Sequence, residues 1–422
     1  MEPLETLSPD AIDLSDLEGF WTLPVAEREG AFRTLRRQRP FAFFNEPETD
    51  FAPQGPGYFA VTRYRDVVSA SRNPEVFCSG AGTTSVVDLP PEFLEYFGSM
   101  INMDDPRHAR LRRIVSRAFT PKRLADAEAT VADVARRIVT DVAPKGRCDF
   151  VSEVAAALPL RIICEMMGIP DSHYGFVLDQ TNVILGATDP EYVPEATDIP
   201  TAVLNAGFGL GELMKELGEH RRSQPSDDLT SALVNTEIDG ERLSFEELAS
   251  FFVLLVVAGN ETTRNAISWG LVALTEHPDQ RRRWAEDFEG VAPSAVDEIV
   301  RWASPVIFMR RTVTKPTRLG EQAFDEGDKL LLFYNSANRD ETVFADPYRF
   351  DVTRADNHHV GFGGHGPHFC LGAHLARREI TVLYRELFAT LPDMAATGDP
   401  ERLQSMFING IKRLPAEFTP VG

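Results

Sequence analysis

The stretch from Phe245 to His277, FEELASFFVLLVVAGNETTRNAISWGLVALTEH, constrains this chain most. Its apolar residues recur at helical spacing, and its uncharged run, Leu248 to Asn260, is about 13 residues long. A bilayer span requires roughly 20. No membrane span is expected, so a helix this apolar belongs inside a soluble domain. PSAVDEIVRWA and LGAHLARREITVLYRELFATL show the same periodicity between Gly, Pro or polar caps. Strand-like pieces are few and short: GYFAVT, RRTVT, KLLLFYNSA and the C-terminal IKRLPAEF. The expected fold class is mainly α with a small β subdomain.

With 422 residues, 43% of them hydrophobic, the chain can bury a large core. No linker, low-complexity tract or internal repeat divides it, so a single domain over residues 19–422 behind a flexible arm, 1–18, is expected. That arm is acidic and has neither the basic nor the apolar region of a secretion signal. Cys78, Cys148, Cys164 and Cys370 are spaced too irregularly for a disulfide framework or paired CxxC knuckles, which points to a reducing, cytoplasmic setting. A formal charge of −21 argues against a nucleic-acid partner.

One segment runs against that charge. DDPRHARLRRIVSRAFTPKR holds Arg107, His108, Arg110, Arg112, Arg113, Arg117, Lys122 and Arg123. Asp105-Pro106 reads as a helix start, and Leu111, Ile114, Val115 and Ala118 form an apolar stripe behind the charges. The segment reads either as a solvated basic face or as a docking patch for an acidic partner or anionic ligand. Just before it, the stretch from Cys78 to Ser99, rich in Gly, Pro and aromatics, reads as a long mobile loop lining a binding site.

The chemistry centres on VGFGGHGPHFCLGAHLARRE, Val360 to Glu379. Cys370 precedes a helix with Ala376, Ile380, Leu383 and Leu387 on one stripe, so its sulfur sits at the positive end of a macrodipole that favours a thiolate. The glycines before it let the chain turn back tightly and aim backbone N–H groups at the sulfur. Nucleophile, zinc ligand, haem ligand and inert thiol are the competing readings. His365, His368, Cys370 and His374 superficially offer zinc four ligands. Around Cys370 there is no recognisable hydrolase signature.

These residues resemble the haem-binding loop of cytochrome P450 monooxygenases, with His368 two before the cysteine and Gly372 two after it. The resemblance implies haem b (iron protoporphyrin IX), held through Cys370 as axial iron ligand, with Phe362, Gly364 and Gly372 in the cradle. Where the family has an aromatic, seven residues before the cysteine, this chain has Gly363, and Phe362 lies one earlier. AGNETT, Ala258 to Thr263, resembles the family's oxygen-activating segment, with Glu261 and Thr262 as the acid–alcohol pair and Ala258 against the cofactor. A mid-helix Thr can bond back to a carbonyl and open the helix, Gly259 removes a side chain where a ligand could approach, and a buried acid is costly without a network or water. Glu298 and Arg301 match the family's buried E-x-x-R pair, completed by Arg349 of PYRF. His108, Arg112, Arg311 and His368 match its propionate contacts.

Within the family, SMINMDDPRHARLRRIVSRAFTP and FYNSANRDETVFADP look closest to mycobacterial-type enzymes that hydroxylate terminal carbons of methyl-branched lipids and sterol side chains. The implied activity inserts one oxygen of O2 into a C–H bond of a hydrophobic lipid or sterol-like substrate. Electrons would come from a ferredoxin with its ferredoxin reductase, docked on Arg110, Arg113, Arg117, Lys122 and Arg123. The substrate pocket would draw on Val257, Ala258, Val306, Phe308 and Phe407. A peroxide-driven peroxygenase and a non-catalytic haem-binding sensor are the alternatives.

Overall fold

The computed structural model describes residues 3–4, 8–47, 54–88, 99–118, 121–187, 189, 191–193, 198–237, 240 and 242–422, and of 118 and 121–127 the backbone alone. Helices dominate. Those that build the site are α1 (Val25–Gln38), α2 (Tyr64–Arg72), α3 (Arg107–Ala118), α4 (Ala157–Met167), α5 (Tyr174–Leu185), α6 (Phe245–Glu276), α7 (Phe288–Ala303) and α8 (Ala373–Thr390). Among the described residues, no helix is long and apolar enough to cross a membrane.

The 32 residues of α6 make a rod of roughly 48 Å at 1.5 Å per residue. It begins at a capping box: Ser244 Oγ accepts from Glu247 N at 3.1 Å, and Glu247 Oε2 accepts from Ser244 N at 3.0 Å. Its first half, Leu248 to Val256, packs into a cluster with Ile114, Ile163, Met167 and Leu210. Its second half, Ala266 to Leu274, packs into another with Trp284, Ile299, Leu383 and Tyr384. One helix therefore serves two cores.

The strands Phe41–Phe44 (β1), Tyr58–Val61 (β2), Phe77–Cys78 (β3), Phe308–Val313 (β4) and Lys329–Phe333 (β5) form one sheet in the order β1-β2-β5-β4-β3. β2 runs parallel to β5, with Ala60 opposite Leu331, and β5 antiparallel to β4, with Leu330 opposite Arg311. Every residue of β5 is buried, as a central strand with both faces covered requires.

Four expectations change. The KLLLFYNSA segment is strand only to Phe333; Tyr334–Ala337 is a helical turn, since Asn and Ser favour local turns over a ladder. α7 starts at Phe288, capped by Asp287, and passes through Pro293, whose missing N–H frees only a carbonyl on the exposed Glu289. The arm expected to be loose, 1–18, is anchored within its described residues: Ile12 and Leu14 are buried against Trp21 and Phe32, and Trp21 Nε1 donates to Leu14 O at 3.0 Å. Finally, the stretch expected as a mobile loop is held over its described part, 79–88. Arg310 Nη1 donates to Val86 O at 3.4 Å, and Lys329 Nζ pairs with Asp88 at 2.7 Å and Glu46 at 2.6 Å. The remainder of that stretch, 89–98, lies outside the described residues.

Candidate active site

The cysteine loop is assembled by removing side chains and bonding the backbone to itself. A Cβ on Gly361 would sit 2.7 Å from Val300 Cγ1 of α7, and Cβ atoms on Gly364 and Gly366 would lie 2.4 and 2.0 Å from Ser71 of α2. The loop thus threads between two helices at backbone distance. Gly363 turns it with φ +98°, a conformation that L side chains resist. Cys370 N donates to Phe362 O at 2.9 Å, and Val360 N to Asn338 Oδ1 at 2.7 Å.

Burial pushes the Cys370 thiol up, opposed by the backbone N–H groups of Gly372 and Ala373 and by Arg112 and Arg377. The helix-end donors expected from the sequence are present, yet in the protein alone desolvation outweighs them. A buried thiolate therefore asks for a cation at the sulfur. His365 and His374 point to solvent, and among the described residues no three His, Cys, Asp or Glu side chains form a metal cluster, so the zinc set does not assemble.

Four basic side chains gather beside the loop. The His108 and His368 rings lie 4.3 Å apart, and burial, then Arg311, His108 and Arg112, push His368 down to about 3. Arg112 Nη2 donates to Phe369 O at 2.6 Å, tying α3 to the loop. His108 Nε2 is buried without a hydrogen-bond partner, and a Cβ on Gly372 would meet nothing within 4 Å. Thiol, open glycine and a basic cluster fit a flat group with two carboxylates, which is the shape and charge of haem.

Across from the loop, Leu371 joins the same apolar cluster as Leu254, Leu255 and Val257 of α6. Ala258 is exposed and Thr262 half-buried, so this stretch of α6 fronts open space. Thr262 Oγ1 donates to Ala258 O at 2.6 Å; the back-bond forms, and α6 stays helical through it. Glu261 points the other way and is buried, accepting from Asn265 Nδ2 at 2.9 Å and from Arg264, which reaches Asn182 of α5 at 3.3 Å. This network offsets the cost of burying the acid. Gly259 does not face a ligand, because a Cβ there would press on Ile163 Cδ1 of α4 at 2.8 Å; it admits a neighbouring helix.

The pocket segments meet where Val306 bridges Ile408 and Ile307 N donates to Phe407 O at 2.8 Å. Val257, Val306 and Phe407 are half-buried. Phe308 is not a wall residue: fully buried, it lies 5.4 Å from both the Phe333 and Phe407 rings and backs Phe407. A separate cavity of about 640 Å³ lies against the start of α6, lined by Met100, Met103, Leu111, Val115, Phe208 and Phe251 among others. Phe251 and Thr262, eleven residues apart, share one face of α6.

Below the loop, Arg301 and Glu298, both 0% exposed, pair through Nε–Oε2 at 2.7 Å and Nη2–Oε1 at 2.8 Å. The second cation is Arg354, whose Nε donates to Glu298 Oε2 at 3.0 Å; Arg349 offers Arg301 only its carbonyl, at 3.4 Å. The chain after PYRF folds back, which puts the later arginine at the carboxylate. Of the expected docking patch, Arg113 and Arg117 are exposed, whereas Arg110 turns inward to Glu247 Oε1 at 2.8 Å, and the side chains of Lys122 and Arg123 lie outside the described residues. Sequence reasoning missed Asn338, Arg354 and the clamps Arg310 and Lys329. Nothing in their local spacing marks them: Asn338, Arg310 and Lys329 bond to distant segments, and Arg354 reaches the distant Glu298 only through a fold-back of the chain.

A sequence profile described as Cytochrome P450 matches residues 209–390. The chain is 52% identical to the methyl-branched lipid omega-hydroxylase of Mycobacterium tuberculosis, over 97% of this chain and 96% of that one. It is 37% identical to the steroid C26-monooxygenase of Mycolicibacterium smegmatis, over 95% and 92%. A solved structure from Mycobacterium marinum, in complex with pseudoionone, superposes with a TM-score of 0.90 at 41% identity, covering 98% of this chain and all of that one.

Proposed function

Because the chain belongs to the cytochrome P450 family, we propose that this monooxygenase hydroxylates the terminal carbon of a methyl-branched lipid or a sterol-like side chain. The observation that carries the substrate class is the near full-length 52% identity to a methyl-branched lipid omega-hydroxylase. The cavity on the Phe251 face of α6, with an apolar wall of Met100, Met103, Leu111, Val115 and Phe208 and a charged rim that includes Arg107, Arg242 and Glu246, supports a long hydrophobic ligand with a polar end.

Haem b, when bound, supplies O2 activation and C–H cleavage; the protein positions, tunes and excludes water. Cys370 offers its sulfur as the thiolate ligand, within a loop too tight to let it drift. His108, Arg112, Arg311 and His368 would hold the carboxylates of the group. Thr262 holds a proton on Oγ1, parked against the Ala258 carbonyl, from which the hydroxyl can rotate to donate. Glu261, ion-paired with Arg264 behind the helix but with Oε2 unpartnered, would resupply that proton on turning from the network toward Thr262. Arg113 and Arg117, exposed on the helix that carries Arg112, form the face for an acidic ferredoxin served by its reductase. The four unpaired cysteines suit a reducing cytoplasm.

The test pairs a CO spectrum of the reduced protein with product analysis on branched fatty acids, straight-chain fatty acids and sterol ketones. Thiolate-type CO binding with oxygen on the terminal carbon is the expected result. Oxygen placed mid-chain on every substrate would overturn the terminal assignment.

A further inference from the structure

Arg377 lies seven residues beyond Cys370, at the start of the second turn of α8, and is 35% exposed, so it reads first as a surface cation. Its contacts say otherwise. Nε donates to Asp297 Oδ1 of α7 at 2.7 Å, and the guanidinium carbon sits 4.5 Å from the centre of the Phe362 ring. Asp297 also faces His359 Nε2 at 3.4 Å, and His359 Nδ1 accepts from Gly361 N at 3.1 Å. That bonding pattern puts the His359 proton on Nε2, toward the carboxylate. Phe362 O in turn receives the Cys370 N–H. α7, α8 and the loop are thereby closed into one ring of contacts around the sulfur's own backbone.

The need for such a clamp follows from the loop itself. Gly363 adds a left-handed turn between Phe362 and the rest of the loop, so backbone geometry does not by itself fix the ring. A cation over an aromatic face does. The same charge lies against the residue whose carbonyl receives the Cys370 N–H, so it stands beside the backbone that carries the sulfur. A positive charge there withdraws electron density from the donor, as second-shell groups do at metal–sulfur sites.

We propose that Arg377, balanced by Asp297, is a positioning residue that holds the Phe362 ring on the cysteine loop and restrains electron donation by the Cys370 sulfur. This rests on the haem-thiolate reading above. Arg377→Gln removes the charge, whereas Asp297→Asn keeps an acceptor for Arg377 Nε and removes the charge that offsets it. The two variants are therefore expected to move the ferric–ferrous potential in opposite directions.

The experiment is a dye-coupled redox titration of each holoprotein with no ferredoxin present, so that a docking role for Arg377 cannot contribute. Arg377→Gln is expected to lower the potential by about 59 mV, a tenfold change for one electron, Arg377→Lys to restore most of it, and Asp297→Asn to raise it. If Arg377→Gln fails to load haem, the rise in Asp297→Asn carries the test. Both variants at the wild-type value, or both shifted the same way as general loosening would do, overturn the proposal. A wild-type protein without thiolate-type CO binding fails the underlying reading instead, and is seen before any variant is compared.

Discussion

The cysteine loop and the exposed face of α6 flank the same chemistry by opposite means. The loop has no slack: its glycines sit where side chains would strike Val300 or Ser71, and its backbone bonds return to itself. The α6 face keeps space, with a small residue and a hydroxyl outward and the ionic network behind. Rigidity belongs where a ligand atom must be fixed, and room belongs where a substrate must move.

The largest expected effects fall below the loop. Arg354→Ala strips a partner from the fully buried Glu298 and should cost about 3–5 kcal/mol in urea unfolding, while Arg349→Ala stays within about 0.5 kcal/mol. Equal losses would return Arg349 to the charge network and erase the contrast.

Glu379, 2% exposed on α8, gives the comparison a pH axis. Burial alone pushes its carboxyl from 4.5 up to about 8. The folded state therefore holds a proton that the unfolded state has released, so stability falls as pH rises from 4.5 to about 8 and then levels. Glu379→Gln should match wild type near pH 4.5 and exceed it above pH 8 by about 5 kcal/mol, read by thermal melts across pH. A constant offset at all pH values would contradict this.

The glycines sharpen the contrast further. Gly366→Ala drives a Cβ to 2.0 Å of the Ser71 carbonyl, which has no side chain to swing away, and should cost about 1–3 kcal/mol with lowered haem loading. Gly259→Ala meets only the end of Ile163 at 2.8 Å and gains about 1 kcal/mol of helix propensity, so its net change should stay within about 1 kcal/mol. Thr262→Ala should leave unfolding within about 0.5 kcal/mol, since it removes one back-bond, but lower product formed per electron consumed. Unchanged coupling would remove Thr262 from proton handling.

Legibility in the sequence followed the range of the interactions. α6 and α8 were plain because their stripes repeat within the helix itself, and Cys370, His368 and Gly372 because they sit within five residues of one another. Arg349 was chosen over Arg354 because a motif specifies order and spacing, whereas the fold-back that aims the side chain depends on Ala345, Asp346 and Glu298 carrying the partners. No local pattern places Ile163 beside Gly259 or Phe333 beside Phe308, so spacing alone points both toward a ligand. The packing of Ile12 and Leu14 escaped notice because an acidic arm hides two apolar anchors among its charges.

α6 is also an axle. Leu248 to Val256 turn with one core and Ala266 to Leu274 with the other, while Ala258 and Thr262 occupy the unclaimed span between them. Because one continuous helix joins the two cores, a change of packing in either has a covalent path to the Thr262 hydroxyl.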